Sequence, residues 1–425
     1  MKTTLFAAIV LALPSLTAAA AADSIHCHFE GVIEGRPMTK KAQVYEMLTD
    51  PRYDCIMSVP VTDGKFSFDI TAAQPGPYEI IFDDELDVGA WTNKRFFVED
   101  GTVRGYYYSE ELSDSNRVVS DGSVEAEKLR FKTLSDKLFG ERKKAIETEK
   151  KRLEESGEAF LPEVRPFYFA MKAAADNAAR DSISAVYRHI LDSLEWKIDS
   201  EAAISLNEEM RRIYVEEDSV RRAFIAETPS VFGLSEILLT AYVSSRPGGV
   251  RDAADTERIF KERYGDFASH PLYTRIVNTF AGNRIKPDMP YINFPLRDAD
   301  GTTTEVQSLI KGRPAIIDLW ASWCSPCRRT SKSLIPLYNE YAPKGLAYVA
   351  VAREFGSADE MHKAIEKDGY PWKSYVEIDD RDNIWTLNGC PNAGGRVILV
   401  GADGLIDHVN PDSKTVAAWL KEVLP

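Results

Sequence analysis

The chain is predicted to be multidomain, with an N-terminal antiparallel β-sandwich, an α-helical middle region and a C-terminal α/β fold. Three observations carry this division. Up to about residue 120, polar residues alternate with aromatic or aliphatic ones between turn dipeptides; from about 124 the apolar period lengthens to that of a helix; from about 284 short apolar runs alternate with amphipathic ones. A chain of 425 residues is also too long for one ordinary core. The expected segments are 1–22, 23–122, 123–283 and 284–425.

The first segment reads as an address. Lys2 precedes the apolar run Leu5 to Leu13, and Ala18 to Ala22 offer small-residue cleavage sites, the order of a secretory signal peptide cut near Ala20–Ala22. A spanning helix needs roughly 20 apolar residues. This run is shorter and no second one follows, so no transmembrane segment is expected in the mature chain. Ser24-Ile25-His26 before Cys27 lacks the small residues found beside a lipidated cysteine, which argues against a lipoprotein. The expected compartment is a bacterial periplasm. Hydrophobic content of 44% and charged content of 28% describe a soluble globular protein. A net charge of −14 repels phosphate, so no nucleic-acid partner is expected.

In the β segment, Asp63-Gly64 is a hairpin dipeptide and Lys65 to Ile70 alternates strictly after it. Tyr78 to Phe82, Arg95 to Val98 and Tyr106 to Tyr108 read as further strands, with a turn at Glu99-Asp100-Gly101. In the middle segment, Phe131, Leu134, Leu138, Ala145 and Ile146 fall on one helical face, as do Ile183, Val186, Tyr187, Ile190, Leu191 and Leu194. Between them "GERKKAIETEKKRLEESGE" is charged all round with i,i+4 pairs, the pattern of a solvated helix. The last segment supplies "RPAIIDLW" and "LAYVAVA" as buried strands and "SADEMHKAIEKDG" as a helix. "RVILVGADGLIDHV" reads as a hairpin and "TVAAWLKEVL" as a closing helix. Such alternation implies a central sheet covered on both faces.

Chemistry concentrates in "DLWASWCSPCRRT", residues 318 to 330. Cys324 and Cys327 lie where a strand gives way to a helix. Unpaired N–H groups and the positive dipole end there favour thiolate over thiol. Cys324 is expected to attack a disulfide and Cys327, one turn on, to resolve the mixed disulfide. Pro326 suits an early helical position, where a missing N–H costs nothing. Asp318, alone among apolar neighbours, is expected to be buried, to have a raised pKa and to accept the proton of Cys327. Five cysteines, an odd count, leave at least one thiol unpaired; Cys27 and Cys55 are the candidate structural disulfide. No second C-x-x-C is present and His362 and His408 have no ligand-like spacing, so no metal is expected.

On these residues, "GRPAIIDLWASWCSPCR" resembles the active-site stretch of exported thioredoxin-like thiol-disulfide oxidoreductases of the TlpA/ResA type. "KPDMPYINFPLRDADGTTTEVQSLIKG" is similar to the segment before that family's catalytic strand. The resemblance spans roughly 284–425 and matches Asp318, Trp323, Cys324, Pro326 and Cys327 to family positions one by one. It implies a thioredoxin-like fold and reduction of disulfides in exported proteins, with no cofactor beyond the redox-active disulfide. The implied partners are protein disulfide or thiol substrates and a membrane or periplasmic thiol reductant. More weakly, a small β-domain followed by a helical segment containing "FIAETPSVFGLSEILL" resembles what precedes such domains in multidomain envelope proteins.

The sequence departs from this pattern in two places. Thr330 and Lys332 stand where the family often has Glu and Pro, so the active-site helix is expected to lack the usual kink. Gly395, preceded by Gly394, stands where a cis-proline is expected, and Pro391 comes four residues earlier. Cis bonds outside X-Pro cost about 2.5–4 kcal/mol, so a trans Gly-Gly loop is predicted, open to close approach by substrate. Stiffening it by Gly395→Pro is expected to alter turnover more than stability. Cys390 reads either as a buried small hydrophobe or as a third redox thiol facing Cys324. Two other functions stay open: a thiol peroxidase, although Ala321, Ser322 and Trp323 do not supply a peroxide-polarising Thr, and a non-catalytic envelope binding protein with a degenerate thioredoxin domain.

Overall fold

Asp63 and Gly64 both adopt left-handed backbone angles, φ 51° and 70°, which two-residue hairpin turns of this kind require. The computed structural model describes residues 24–51, 54–244, 248–390 and 394–425. The expected signal peptide, with its cleavage site near Ala20–Ala22, and Pro391 lie outside the described residues.

The first strands are β1 (Ile25–Ile33), β2 (Lys41–Glu46), β3 (Met57–Pro60), β4 (Lys65–Ala72), β5 (Gly76–Phe82), β6 (Lys94–Val98), β7 (Gly101–Tyr107) and β8 (Arg117–Ser120), with a short α1 (Asp83–Asp87) before β6. They form two four-stranded sheets, β4-β1-β7-β8 and β3-β2-β5-β6. Alternation along β4 turns Phe66, Phe68 and Ile70 inward. There they meet Phe29 of their own sheet and Val44, Ile80, Phe82 and Phe96 of the other in one apolar cluster. One pairing corrects the antiparallel expectation: β1 runs parallel to β7, from Cys27 beside Gly101 to Ile33 beside Tyr107. The chain passes through the other sheet between these two strands, so β7 returns beside β1 in the same direction.

The helices that follow are α2 (Ser123–Ser156), α3 (Arg165–Ala173), α4 (Asn177–Ser193), α5 (Glu201–Glu227), α6 (Val231–Val243), α7 (Ala253–Arg263) and α8 (Pro271–Gly282). Helix α2 lies antiparallel to α5, with Arg142 paired to Glu216 and Lys143 to Glu217. Its buried stripe is Phe139, Ile146 and Leu153, a seven-residue repeat, whereas Leu138 is exposed. Of the predicted face, Ile146 is buried, Phe131 and Leu134 are half-buried, and Ala145 is exposed. On α4, Val186 is likewise exposed and Leu191 is the residue that is buried. Helix α6 is mostly apolar and buried over most of its surface; its Leu234, Ile237, Leu238 and Ala241 share a cluster with Met47, Phe260 and Ile276.

The C-terminal part comprises β9 (Pro295–Arg297), β10 (Thr303–Glu305), α9 (Val306–Ile310), β11 (Ala315–Trp320), α10 (Ser325–Tyr341), β12 (Ala347–Glu354), α11 (Asp359–Asp368), β13 (Ser374–Ile378), α12 (Ile384–Leu387), β14 (Arg396–Val400), β15 (Ile406–Val409) and α13 (Ser413–Val423). The main sheet has the order β13-β12-β11-β14-β15, parallel from β11 to β13 and antiparallel for β14 and β15. Every residue of β11 is buried. Ile317 and Leu319 pack into one layer with Tyr291, Phe294 and Trp385. On the other face Ile316 meets Leu334 of α10 and Trp419 of α13. This is the thioredoxin-like arrangement expected for 284–425. Among the described residues, no helix is long and apolar enough to cross a membrane.

Candidate active site

Strand β11 ends at Trp320, and the loop Ala321-Ser322-Trp323 delivers the chain to Cys324, the N-cap of α10. Cys324 and Cys327 form a disulfide with their Cα atoms 5.3 Å apart. Cys324 Sγ accepts the backbone N–H of Cys327 at 3.3 Å, and Pro326 occupies the first turn as predicted. Both cysteines are nearly covered, at 6% and 9% exposure, so accessibility does not tell the two sulfurs apart. Their backbone partners do: Cys324 Sγ faces the helix start, whereas Cys327 Sγ accepts the N–H of Gly395 at 2.9 Å. Pro336 lies inside α10, four residues beyond Lys332.

Asp318 points to the same face as Trp320, and only 2% of it is exposed. Burial raises its pKa from 3.8 to about 6, although the Ser331 and Tyr348 hydroxyls beside it act to lower it. Tyr348 Oη donates to Asp318 Oδ2 at 2.9 Å, and Ser331 Oγ donates to the Cys327 carbonyl at 3.1 Å. Ser331 thus stands between the acid and the second cysteine. A cleft of about 440 Å³ adjoins the constellation, lined by Asp318, Cys324, Cys327, Thr330, Gly394 and Gly395 among others.

The two glycines sit where the sequence placed them. A Cβ on Gly394 would stand 3.3 Å from Cys324 Sγ and 3.5 Å from Cys327 Sγ. A Cβ on Gly395 would stand 1.6 Å from the Leu319 carbonyl oxygen, so only glycine lets this backbone lie flush on β11. No cis peptide bond occurs among the described residues. The close approach corrects one expectation: Gly395→Pro would collide with β11 and remove the N–H bound to Cys327, so stability would fall along with any change in turnover.

Three cysteines remain free. Cys27 and Cys55, expected to pair, do not. Cys27 faces the apolar cluster from β1, while Cys55 is exposed just before β3, its Sγ donating to the Met57 carbonyl at 3.3 Å. Cys390 is not beside Cys324 either. It packs with Ile317, Leu319 and Trp385 on the opposite face of the sheet, and burial pushes its thiol up to about 12. A thiol held protonated behind the sheet is core packing.

Sequence reading missed one supporting group. Glu354 ends β12 and is 2% exposed; its carboxylate accepts Ser322 N–H at 2.8 Å and Ser322 Oγ–H at 2.7 Å. Burial raises its pKa as well. The signal was available, since an acid closing the apolar run "LAYVAVARE" is as conspicuous as Asp318. Next to it, Phe355 stacks on Trp323 with ring centroids 6.2 Å apart.

Residues 287–383 match the AhpC/TSA family. The thiol-disulfide oxidoreductase ResA of Bacillus thuringiensis (strain Al Hakam) is 31% identical over 141 residues, 31% of this chain and 76% of the relative. The thiol:disulfide interchange protein DsbE of Allochromatium vinosum is 24% identical over 141 residues, 32% of this chain and 74% of the relative. A crystal structure of the thioredoxin domain of a Bacteroides vulgatus thiol-disulfide oxidoreductase aligns at 21% identity and TM-score 0.30, covering 33% of this chain and 99% of that one. With a C-x-x-C disulfide at a helix N-cap and 31% identity across three quarters of a ResA, the chain belongs, through its C-terminal third, to the ResA-type family of thioredoxin-like thiol-disulfide oxidoreductases.

Proposed function

We propose that this protein is an exported, periplasmic reductase of disulfides in other exported proteins, working through Cys324 and Cys327. In this reading Cys324, as thiolate, attacks a substrate disulfide, forming a mixed disulfide and releasing one substrate thiolate. The Cys327 thiol passes its proton to the Asp318 carboxylate, and its thiolate attacks Cys324 Sγ. The second substrate thiolate leaves and takes up a proton. The substrate gains two electrons and the enzyme closes its disulfide. A thiol reductant in the periplasm or membrane then returns the pair to the dithiol. No metal or further cofactor takes part in this scheme, and Trp323, Pro326 and the Gly394-Gly395 backbone shape the approach to sulfur.

One observation supports this above all: a disulfide at the start of a helix, beside a buried carboxylate whose pKa is about 6. Such an acid is ionised at neutral pH and still a fair proton acceptor. Segments 23–122, as a β-sandwich, and 123–283, as a helical domain, are read as presenting the catalytic domain, with 1–22 removed on export.

Insulin reduction driven by dithiothreitol, with peroxide consumption measured alongside, tests the activity. Turnover of insulin without peroxide consumption is expected; the reverse would make the protein a peroxidase, and neither would leave a binding protein. For the roles, Cys327→Ser should accumulate mixed disulfides on Cys324 while Cys324→Ser accumulates none. Equal trapping by the two variants would overturn the assignment. Mass analysis of the mature chain should find it starting just after Ala20–Ala22.

A further inference from the structure

The reaction scheme above leaves one donor at the site without a task. Gly395 N–H points at Cys327 Sγ from 2.9 Å, a separation within the range of N–H···O bonds although sulfur is the larger atom. The contact depends on glycine twice over. A side chain at 395 would strike the Leu319 carbonyl, and one at 394 would crowd both sulfurs. A proline at 395, the residue the resemblance leads one to expect there, would bring no N–H at all. The donor is therefore a property of this chain's Gly-Gly loop.

We propose that the Gly395 amide is a catalytic hydrogen-bond donor that stabilises the thiolate of Cys327 as it resolves the mixed disulfide. The inference rests on the reading of Cys327 as the resolving thiol and gives that thiol its own activation. When the proton moves from Cys327 to Asp318, the total charge of the pair stays at −1 and shifts from carboxylate oxygen to sulfur. A bond from N–H to an anionic acceptor is roughly twice as strong as one to a neutral acceptor, so the amide holds the charge where it arrives. The other titratable or charged groups on this cleft are Asp318 from β11, backed by Tyr348 of β12, Arg396 from β14 and Cys324 from the same helix. Asp318 while ionised opposes a thiolate, and the Arg396 guanidinium is turned to the Asn388 carbonyl at 2.8 Å. The neutral amide is the donor aimed at the sulfur itself.

The amide can be removed without adding a side chain. Ligation between Gly389 and Cys390 allows residues 390–425 to be supplied as a synthetic peptide, with glycolate replacing Gly395 so that an ester oxygen replaces the N–H. An all-amide ligation product is the control. In the refolded full chain carrying Cys324→Ser, the ester should raise the Cys327 pKa by about one unit, a tenfold loss of thiolate below that pKa. With Cys324 present, the resolving step should slow about tenfold near neutral pH while initial attack on an aromatic disulfide keeps its rate. A folded ester protein with an unmoved Cys327 pKa would overturn the inference.

A second measurement needs no semisynthesis. In the reduced, isotope-labelled full chain, the Gly395 amide proton resonance should shift through an inflection at the Cys327 pKa, and Cys327→Ala should abolish that inflection. Absence of the inflection in the unsubstituted protein would also overturn the inference. Trapping by the single-cysteine variants reports the roles of the thiols separately. If they prove reversed, the reading above fails while the effect of the amide on Cys327 still stands.

Discussion

Asp318→Asn separates the chemical use of this carboxyl from its burden on folding. A carboxyl with pKa 3.8 when unfolded and about 6 when folded binds its proton more tightly in the native state. Its sign is thus opposite to that of a salt-bridged acid: below about pH 3.8 it costs nothing, and the native state loses stability as pH rises through the window from 3.8 to about 6. Above that window the loss levels off at about 3 kcal/mol. Asparagine keeps the shape and can still accept from Tyr348, but has no charge to desolvate. The variant should therefore match the parent protein near pH 4 and exceed it in urea unfolding at pH 7, by up to about 3 kcal/mol. Chemistry should move the other way. The carboxylate fraction of an acid with pKa about 6 rises about tenfold between pH 5 and pH 7, and the first-order resolving step should rise with it. Stopped-flow mixing of the reduced protein with a chromogenic aromatic disulfide shows this step as the second release of coloured thiol. In Asp318→Asn that release should be slower at pH 7 and should lose its inflection near pH 6. An unaltered pH–rate profile would refute the role of proton acceptor, and a variant less stable at pH 7 than at pH 4 relative to its parent would refute the burial argument.

Gly394→Ala places a methyl 3.3 Å from Cys324 Sγ, across the path of an incoming thiolate. Reduction of the oxidised protein by dithiothreitol should slow about tenfold with little change in unfolding. Glu354→Ala removes two hydrogen bonds that hold Ser322, two residues before Cys324. It should cost about 2–4 kcal/mol in urea unfolding and lower insulin turnover, with Glu354→Gln recovering part of both. Alkylation of the native oxidised protein followed by mass mapping should modify Cys55 alone, because Cys27 and Cys390 are buried; a Cys27–Cys55 disulfide in a non-reduced digest would contradict the structure. Cys390→Ala should leave turnover and oxidation products unchanged and cost about 1–2 kcal/mol as a small cavity.

Much of the site was legible because it is written in contiguous residues. An acid alone in "PAIIDLW", then C-S-P-C, predicts a buried carboxyl, a strand end and a helix start, and the structure has all three. The rest depends on pairings distant in sequence. Glu354 reaches Ser322 because β12 lies beside β11 in parallel register, with Ala352 opposite Trp320, which carries the end of β12 past the active-site loop. The parallel partnership of β1 and β7 joins residues some seventy positions apart, and local alternation cannot distinguish it from an antiparallel one. On α2, Leu138 and Phe139 are both apolar neighbours. Which of them is buried is decided by Met210 and Ile213 on α5, against which Phe139 and Ile146 pack.

Cys390 shows where linear distance misleads. Five residues before Gly395, it looks close enough to Cys324 to exchange with it. Yet β11 turns successive side chains to opposite faces: Ile317 and Leu319 to one layer, Asp318 and Trp320 to the other. Cys390 joins the first layer and the Cys324–Cys327 pair the second, so the sheet itself stands between them. Capture of Cys324 by Cys390 would require the strand to open, breaking its hydrogen bonds to β12 and β14. The fully buried strand β11 that gives Asp318 its raised pKa also separates the Cys324–Cys327 pair from Cys390.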